Sequence, residues 1–289
     1  MGPSTLWRGE SLPRYFAQMS SFSHKYGPWA VVAGASEGIG AEFCRQIAAE
    51  GVHVVLVSRS VDKLEALAAE LHNTHGVDTR VAGIDLAAPG AEAELFAATE
   101  GVDIGLFVYN AGADTINDYF LNHEAEIWHA MVRRNCSVPL LASHHYAQPM
   151  VARKRGGIIL VTSGAAWAGG GRLTTYGGTK AFDLIFAEGL WAELRRDDVD
   201  VLSLVVGATD TPALRASLDK FGVAVEDLAQ HGGLAEAADV ARAGLEHLGD
   251  GPTWQMGVPD GAGPSLLAGL PRRQAVELIT QGHDMLFGD

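Results

Sequence analysis

The chain has 289 residues, of which 47% are hydrophobic and 19% are charged, a composition that suits a globular protein with a substantial core. The formal net charge of −14, from 21 basic and 35 acidic residues, argues against broad nucleic-acid binding, so any phosphate site must be built locally. The chain shows no metal-ligand spacing of Cys and His and no apolar run of roughly 20 residues, so we expect a cytoplasmic protein without a metal, disulfide framework or integral membrane segment.

Apolar strands alternate with amphipathic helices along most of the chain. The patterns predict strands over residues 29–33, 52–57, 78–84, 102–109, 157–162, 199–206 and 253–257. They predict helices over residues 41–50, 61–73, 91–99, 123–153, 176–195 and 272–281. Within the long helical stretch, Pro139 and Pro149 indicate a division into two helices. This alternation predicts right-handed βαβ units and therefore an α/β, Rossmann-type doubly wound parallel sheet in three layers.

We predict a single catalytic domain over residues 29–260, because no repeat, low-complexity block or linker divides it. Residues 1–28 are predicted to form an N-terminal arm, and residues 261–289 a C-terminal tail. Residues 212–234 mix apolar and charged side chains in the manner of an amphipathic helix. Such a helix is either a substrate lid or a helix that packs on the core.

The first predicted strand runs directly into a glycine-rich turn. Gly34, Gly38 and Gly40 lie between that strand and the next helix. Glycines there allow a tight turn and a close approach of the backbone to a pyrophosphate, while the helix N-terminus offers free N–H groups. The strand-turn-helix context favours a dinucleotide site over a glycine-rich turn without a ligand.

The end of the second predicted strand indicates which dinucleotide binds. A carboxylate there would bind both ribose hydroxyls and repel a 2′-phosphate, but this chain has Ser58 and Arg59. The guanidinium of Arg59 suits a phosphate, and the hydroxyls of Ser36 and Ser58 can add hydrogen bonds. We therefore predict NADP(H), with NAD(H) as the alternative, although Glu37 is an unfavourable neighbour for a 2′-phosphate.

Ser163, Tyr176 and Lys180 form the candidate catalytic set. Tyr176 and Lys180 are four residues apart and therefore share one face of a helix. A phenol is a poor acid and a poor base at neutral pH, and a nearby cation favours the phenolate, so Lys180 can prepare Tyr176 for proton transfer. Ser163 ends an apolar strand, where its hydroxyl can hold a substrate oxygen beside the phenol.

In this order, the motifs resemble those of the short-chain dehydrogenase/reductase family over residues 28–260. The resemblance implies hydride transfer between a nicotinamide cofactor and a carbonyl or secondary alcohol. It implies that Tyr176 is the general acid/base and that Ser163, Lys180 and Asn135 support it. The candidate cofactor site then comprises Gly34, Ser36, Gly38, Ile39, Gly40, Ser58, Arg59, Asp85, Leu86, Asn110, Ala111, Gly112, Tyr176, Lys180, Gly207, Thr209 and Thr211.

The chain departs from the family pattern at Ala33, Tyr109 and Val206, where the family usually has Thr, Asn and Pro. We expect Tyr109 to repack the floor of the cofactor site, and none of the three changes removes a catalytic group. Trp167 and the glycines at 169–171 are expected to shape the substrate pocket, with the glycines providing room or mobility.

Residues 26–40 are also similar to the branch of the family that contains 17β-hydroxysteroid and long-chain 3-oxoacyl reductases. This similarity implies a bulky lipophilic ketone or alcohol as the small-molecule substrate. The family resemblance further implies a homodimer or homotetramer. The alternatives are an NAD-dependent alcohol or sugar dehydrogenase of the same fold, and a nucleotide-sensing protein without turnover.

Overall fold

A computed structural model describes residues 20–114, 116–225, 233–258, 261 and 266–287. The strands are β1 (Trp29–Ala33), β2 (His53–Ser58), β3 (Thr79–Gly83), β4 (Ile104–Tyr109), β5 (Gly156–Ser163), β6 (Val199–Val206), β7 (Thr209–Asp210), β8 (Ala235–Glu236) and β9 (Thr253–Gln255). The helices are α1 (Ser21–Tyr26), α2 (Gly38–Ala49), α3 (Val61–His75), α4 (Ala91–Ala98), α5 (Ala125–Val132), α6 (Val138–Arg153), α7 (Thr174–Leu194), α8 (Pro212–Phe221), α9 (Ala237–Glu246) and α10 (Arg272–Phe287).

Among the described residues, seven parallel strands form one sheet in the order β3-β2-β1-β4-β5-β6-β9. Successive side chains of β1 enter two different cores, with Ala30 and Val32 on one face and Val31 and Ala33 on the other. Because helices cover both faces, the central strands are apolar throughout, and each residue of β4 is buried. The predicted three-layer, Rossmann-type fold is confirmed.

The long helical stretch divides at a place that the prolines do not mark. A π-helical turn over Arg133–Ser137 separates α5 from α6. Pro139 lies in the first turn of α6, where a missing N–H costs little. Pro149 lies inside α6, and the helix continues past it to Arg153. The prediction of two helices is thus correct, but the predicted cause of the division is wrong.

The ends of the chain pack on this domain where they are described. Residues 1–19 of the predicted arm lie outside the described residues, and α1 follows them. Tyr26, at the end of α1, is 7% exposed, and its hydroxyl donates to Asp200 Oδ2 at 2.7 Å. Of the predicted lid, α8 is described, residues 226–232 lie outside the described part, and α10 packs on α8. Within the described segments, we find no helix with the length and apolar character needed to cross a bilayer.

Candidate active site

A cleft of about 550 Å³ opens at the carboxyl ends of the central strands. It lies beside β1 and β4, where the strand order reverses, which is the place where open parallel sheets bind their ligands. The cleft brings most of the predicted site residues together. Those that line it are Gly34, Ser36, Gly38, Ile39, Ser58, Arg59, Asp85, Leu86, Asn110, Ala111, Gly112, Tyr176, Lys180, Gly207, Thr209 and Thr211.

The turn between β1 and α2 has the geometry that a pyrophosphate requires. Gly34 has a left-handed backbone with φ of +83°, and a Cβ on Gly40 would lie only 1.9 Å from Gly34 O. Gly40 therefore lies behind the turn and lets the backbone close up, rather than lining the cleft. The helix begins at Gly38, and the side chain of Glu37 does not cap it, so its first N–H groups are available to a phosphate.

An ion pair between Lys63 and Glu37 neutralises the negative charge that the sequence places near Arg59. Arg59 is exposed and lines the cleft at the end of β2, whereas Ser58 is buried and accepts a hydrogen bond from Ser60 N at 3.1 Å. Lys63 forms an ion pair with Glu37, and both also line the cleft. The carboxylate that argues against a 2′-phosphate is therefore compensated by a lysine that sequence reasoning missed, since nothing local pairs residues 37 and 63.

The β5–α7 region brings two of the candidate catalytic groups, Tyr176 and Lys180, to the same cleft and places Ser163 nearby in the chain. Tyr176 lies in the first turn of α7, one turn before Lys180. Lys180 is 3% exposed, and its Nζ donates to Val161 O at 2.9 Å. Ser163 is half-buried at the end of β5 and does not line the cleft, and its Oγ accepts from Ala165 N at 3.2 Å. Because that contact uses a lone pair, the hydroxyl proton of Ser163 is left to donate.

Asn135 lies behind the cleft and not in its wall. It is fully buried in the π-helical turn, where its Nδ2 donates to Thr179 Oγ1 at 2.9 Å and its Oδ1 accepts from Arg134 Nε at 2.9 Å. A Cβ built on Gly112 would lie 3.0 Å from Lys180 Nζ and 3.2 Å from Asn135 Oδ1. Asn135 and Lys180 thus approach each other across the narrow space that Gly112 leaves open.

The structure explains the tyrosine that replaces an asparagine of the family pattern. Tyr109 is 1% exposed at the end of β4, and its hydroxyl donates to Arg134 O in the π-helical turn. Burial raises the pKa of Tyr109 well above its usual value, so the group stays a neutral donor. Tyr109 therefore stabilises the turn that carries Asn135, a role that requires the tertiary contact to recognise.

Asp183 is a buried acid that sequence reasoning missed. It is 1% exposed, and its Oδ2 lies 3.3 Å from Lys180 Nζ. Its Oδ1 has no hydrogen-bond partner among the described residues. Burial raises the pKa of Asp183 to about 6, against the opposing effect of Lys180. The available signal was an acid three residues after Lys180, on the same face of the predicted helix.

The C-terminal residues contribute to the wall of the cleft. Asn117 and His283 line it beside Tyr176, together with Leu173 and Leu214. His283 belongs to α10, which lies within the predicted C-terminal tail, outside the predicted catalytic domain. The glycines at 170 and 171 do not provide room, since α10 packs directly against them. The room at these two positions is therefore occupied by α10, and the expected mobility stays a prediction.

Comparison with known proteins identifies relatives of this chain. The sequence profile described as short chain dehydrogenase matches residues 28–220. The 7β-hydroxysteroid dehydrogenase of Collinsella aerofaciens is 38% identical over 199 residues, covering 67% of this chain and 73% of the relative. The very-long-chain 3-oxoacyl-CoA reductase of Laccaria bicolor is 38% identical over 186 residues, covering 63% of this chain and 55% of the relative.

Two solved structures share both the fold of this chain and more than a quarter of its aligned residues. A structure of a 7β-hydroxysteroid dehydrogenase aligns at a TM-score of 0.73 and 33% identity, over 82% of this chain and 89% of that chain. A short-chain dehydrogenase from Sphingobium yanoikuyae in complex with NADPH aligns at a TM-score of 0.70 and 26% identity, over 80% of this chain and 89% of that chain.

Proposed function

The chain belongs to the short-chain dehydrogenase/reductase family and is an oxidoreductase of that family, and on this premise we propose that it uses NADP(H) to reduce a bulky lipophilic ketone. Its relatives lie in the steroid and 3-oxoacyl reductase branch, which confirms the branch that the sequence indicates. One observation carries the proposal. A single cleft joins Arg59 and the glycine turn at β1–α2 to Tyr176 and Lys180.

The preference for NADP(H) is supported by the charges at the β2 end of the cleft. Arg59 stands where a carboxylate would favour an unphosphorylated ribose, and Lys63 compensates Glu37. Arg134 also lines the cleft, and burial together with the nearby Arg59 lowers its pKa. Arg134 thus adds a second positive charge to the cleft, in a place where Asp85 and Asp114 act in the opposite direction on its pKa. The related structure from Sphingobium yanoikuyae contains NADPH, which agrees with this assignment.

The proton chemistry is assigned to Tyr176, with Ser163 and Lys180 in support. NADP(H), held by the β1–α2 glycine turn and Arg59, would supply the hydride. Tyr176 donates its phenolic proton to the carbonyl oxygen of the substrate, and the hydroxyl of Ser163 donates a hydrogen bond to the same oxygen. Among the described residues, Val161 O and Asp183 Oδ2 occupy two of the three N–H groups of Lys180. The third remains to stabilise the phenolate.

The proposed substrate class is supported by the apolar part of the cleft. Leu173, Val206, Ala213 and Leu214 line this part, so it offers mainly apolar contacts. Burial of a lipophilic substrate against them is favourable by about 25 cal/mol for each Å² removed from water. The relatives named as 7β-hydroxysteroid dehydrogenases and 3-oxoacyl-CoA reductases support a substrate of this kind.

The cofactor assignment is tested by titration with NADPH and NADH, following nicotinamide fluorescence. We expect tighter binding of NADPH, and we expect Arg59→Ala to weaken NADPH by about ten- to hundredfold while leaving NADH little changed. Arg196→Ala is the matched control, since the Arg196 side chain is 81% exposed and lies outside the cleft lining. Equal binding of both cofactors would favour the NAD-dependent alternative.

The chemical assignment is tested with a panel of bulky ketones and NADPH. Reduction by the wild-type protein that is lost in Tyr176→Phe supports the proposal. NADPH binding without reduction of any ketone, unchanged by Tyr176→Phe, would instead favour the nucleotide-sensing alternative.

A homo-oligomer in the cytoplasm is the remaining part of the proposal. Apolar side chains are exposed along α5, α6 and α7, with Ile127, Leu140, Leu141 and Ile185 between 38% and 64% exposed. Such a surface favours self-association. Light scattering distinguishes a monomer from a dimer or tetramer, and cell fractionation tests the location.

A further inference from the structure

Helix α10 is held against the loop that leads from Ser163 to Tyr176. Thr280 Oγ1 accepts from Gly171 N at 3.0 Å, and Arg272 Nη1 donates to Trp167 O at 2.7 Å. A Cβ on Gly170 would lie 2.4 Å from Ile279 Cγ2, so only glycine permits this approach. These contacts hold α10 in place and thereby position His283 at the cleft.

His283 is the residue of α10 that lines the cleft. It is 6% exposed, and its Nε2 lies within hydrogen-bond distance of Asn117 Oδ1. With Asn117 Oδ1 facing the ring, His283 Nε2 is the donor of this contact, because an amide oxygen can only accept. Burial is the main cause that lowers the pKa of His283, with Arg172 adding to the effect, so the ring is neutral at neutral pH.

Asn117 lines the cleft with an unused donor. Its Nδ2 is buried and has no hydrogen-bond partner among the described residues. Its backbone is left-handed, with φ of +54°, and the turn is fixed because Asp114 Oδ1 accepts from Ile116 N at 2.9 Å and Asn117 N at 3.1 Å. Asparagine adopts the left-handed conformation readily in turns, so the observation that points to a ligand is the unpaired Nδ2 beside the cleft.

The charges around this pair favour a neutral ligand group. Arg172 lowers the pKa of His283, while the carboxylates of Asp284 and Asp114 act in the opposite direction. The described charged groups near the imidazole therefore provide no excess of positive charge. A carboxylate or phosphate would gain little here, whereas an uncharged oxygen can accept from Asn117 Nδ2.

We propose that Asn117 and His283 form a subsite for a neutral oxygen, a hydroxyl or a carbonyl, that the substrate carries away from the ketone being reduced. Asn117 donates to this oxygen, and His283 orients the amide by holding its Oδ1. The subsite rests on the proposed function, since it concerns the same cleft. It makes the substrate a lipophilic ketone with a second oxygen function.

A pair of rigid steroids tests the subsite by binding rather than turnover. 5α-Androstan-3-one and 5α-androstane-3,17-dione differ by one carbonyl oxygen at the end remote from the 3-ketone, and neither carries an alcohol that NADP⁺ could oxidise. Each is titrated calorimetrically into protein saturated with NADP⁺, where no hydride is available for reduction. We expect the dione to bind about five- to 150-fold more tightly, since an unpaired buried donor costs about 1–3 kcal/mol.

Substitutions at Asn117 and His283 test whether the subsite causes the tighter binding of the steroid that carries a second oxygen. Asn117→Gly removes the amide and accepts the left-handed backbone, and His283→Leu removes the group that orients it. We expect both to abolish the preference while 5α-androstan-3-one and NADPH bind as in the wild-type protein. Gln281→Leu, at an exposed position of α10, is the matched control and should keep the preference.

Two further variants test the subsite even if His283→Leu fails to fold. Gly170→Ala displaces α10 and should reduce the preference, whereas Gly169→Ala should not, because a Cβ on Gly169 meets nothing within 4 Å.

The outcomes separate this inference from the proposed function. Equal binding of the two steroids by the wild-type protein, or a preference that survives both Asn117→Gly and His283→Leu, would overturn the subsite and leave the ketone reductase assignment standing. Failure to bind either steroid, with NADPH bound normally, would overturn both the subsite and the proposed substrate class.

Discussion

The carboxylate of Asp183 is expected to reduce the stability of the protein at neutral pH. In Asp183→Asn, the buried ionisable group becomes a neutral amide of the same shape. The pKa of Asp183 rises from 3.8 to about 6 on folding, chiefly because of burial, even with Lys180 nearby. This rise corresponds to a cost of about 3 kcal/mol when the group is ionised.

The sign of the effect follows from proton binding. Because the folded state holds this proton more tightly than the unfolded state, the cost is present above pH 6 and disappears as the pH falls below 3.8. Asp183→Asn should therefore be more stable than the wild-type protein by up to about 3 kcal/mol at pH 7, and by about half of that at pH 5.

The assay is urea unfolding of both proteins at pH 7 and pH 5, followed by fluorescence. Asp78→Asn, at an exposed position, is the control and should change stability little. We also expect ketone reduction by Asp183→Asn to fall by about tenfold, because Lys180 loses a charged anchor. A variant that is less stable than the wild-type protein at pH 7 would show that the attraction to Lys180 exceeds the cost of burial, and would refute the reasoning.

Three further outcomes are expected. Tyr176→Phe should lower kcat for ketone reduction by about 10²–10⁴-fold while fluorescence titration shows unchanged NADPH binding; an unchanged kcat would remove Tyr176 from the proton step. Lys63→Ala should weaken NADPH by about two- to fivefold, and adding Glu37→Gln should restore the affinity if the ion pair acts as described. Gly40→Ala should abolish NADPH binding in the fluorescence titration, because the new Cβ would meet Gly34 O. Gly189 lies inside α7, and a Cβ there would have no neighbour within 4 Å. Gly189→Ala should therefore raise the free energy of unfolding, measured in urea, by about 0.5–1 kcal/mol.

Local patterns predicted the sheet, the glycine turn and the pairing of Tyr176 with Lys180. Strands with both faces covered are continuously apolar, and a glycine turn between a strand and a helix has few structural uses, so these features can be read from neighbouring residues. The helix division was predicted for the wrong reason, because Pro149 is accommodated within α6 and the π-helical turn over Arg133–Ser137 has no local marker.

The amino-acid sequence by itself determined the fold class and indicated the candidate dinucleotide site and the candidate catalytic set, since each depends on residues close together in the chain. Only the tertiary structure decided the pairing of Lys63 with Glu37, the burial of Asp183 against Lys180 and the contact of His283 with Asn117, 166 residues away. Periodicity shows which side chains must be buried but not which faces meet, and α10 joins the cleft only through packing against the loop at Gly170 and Gly171.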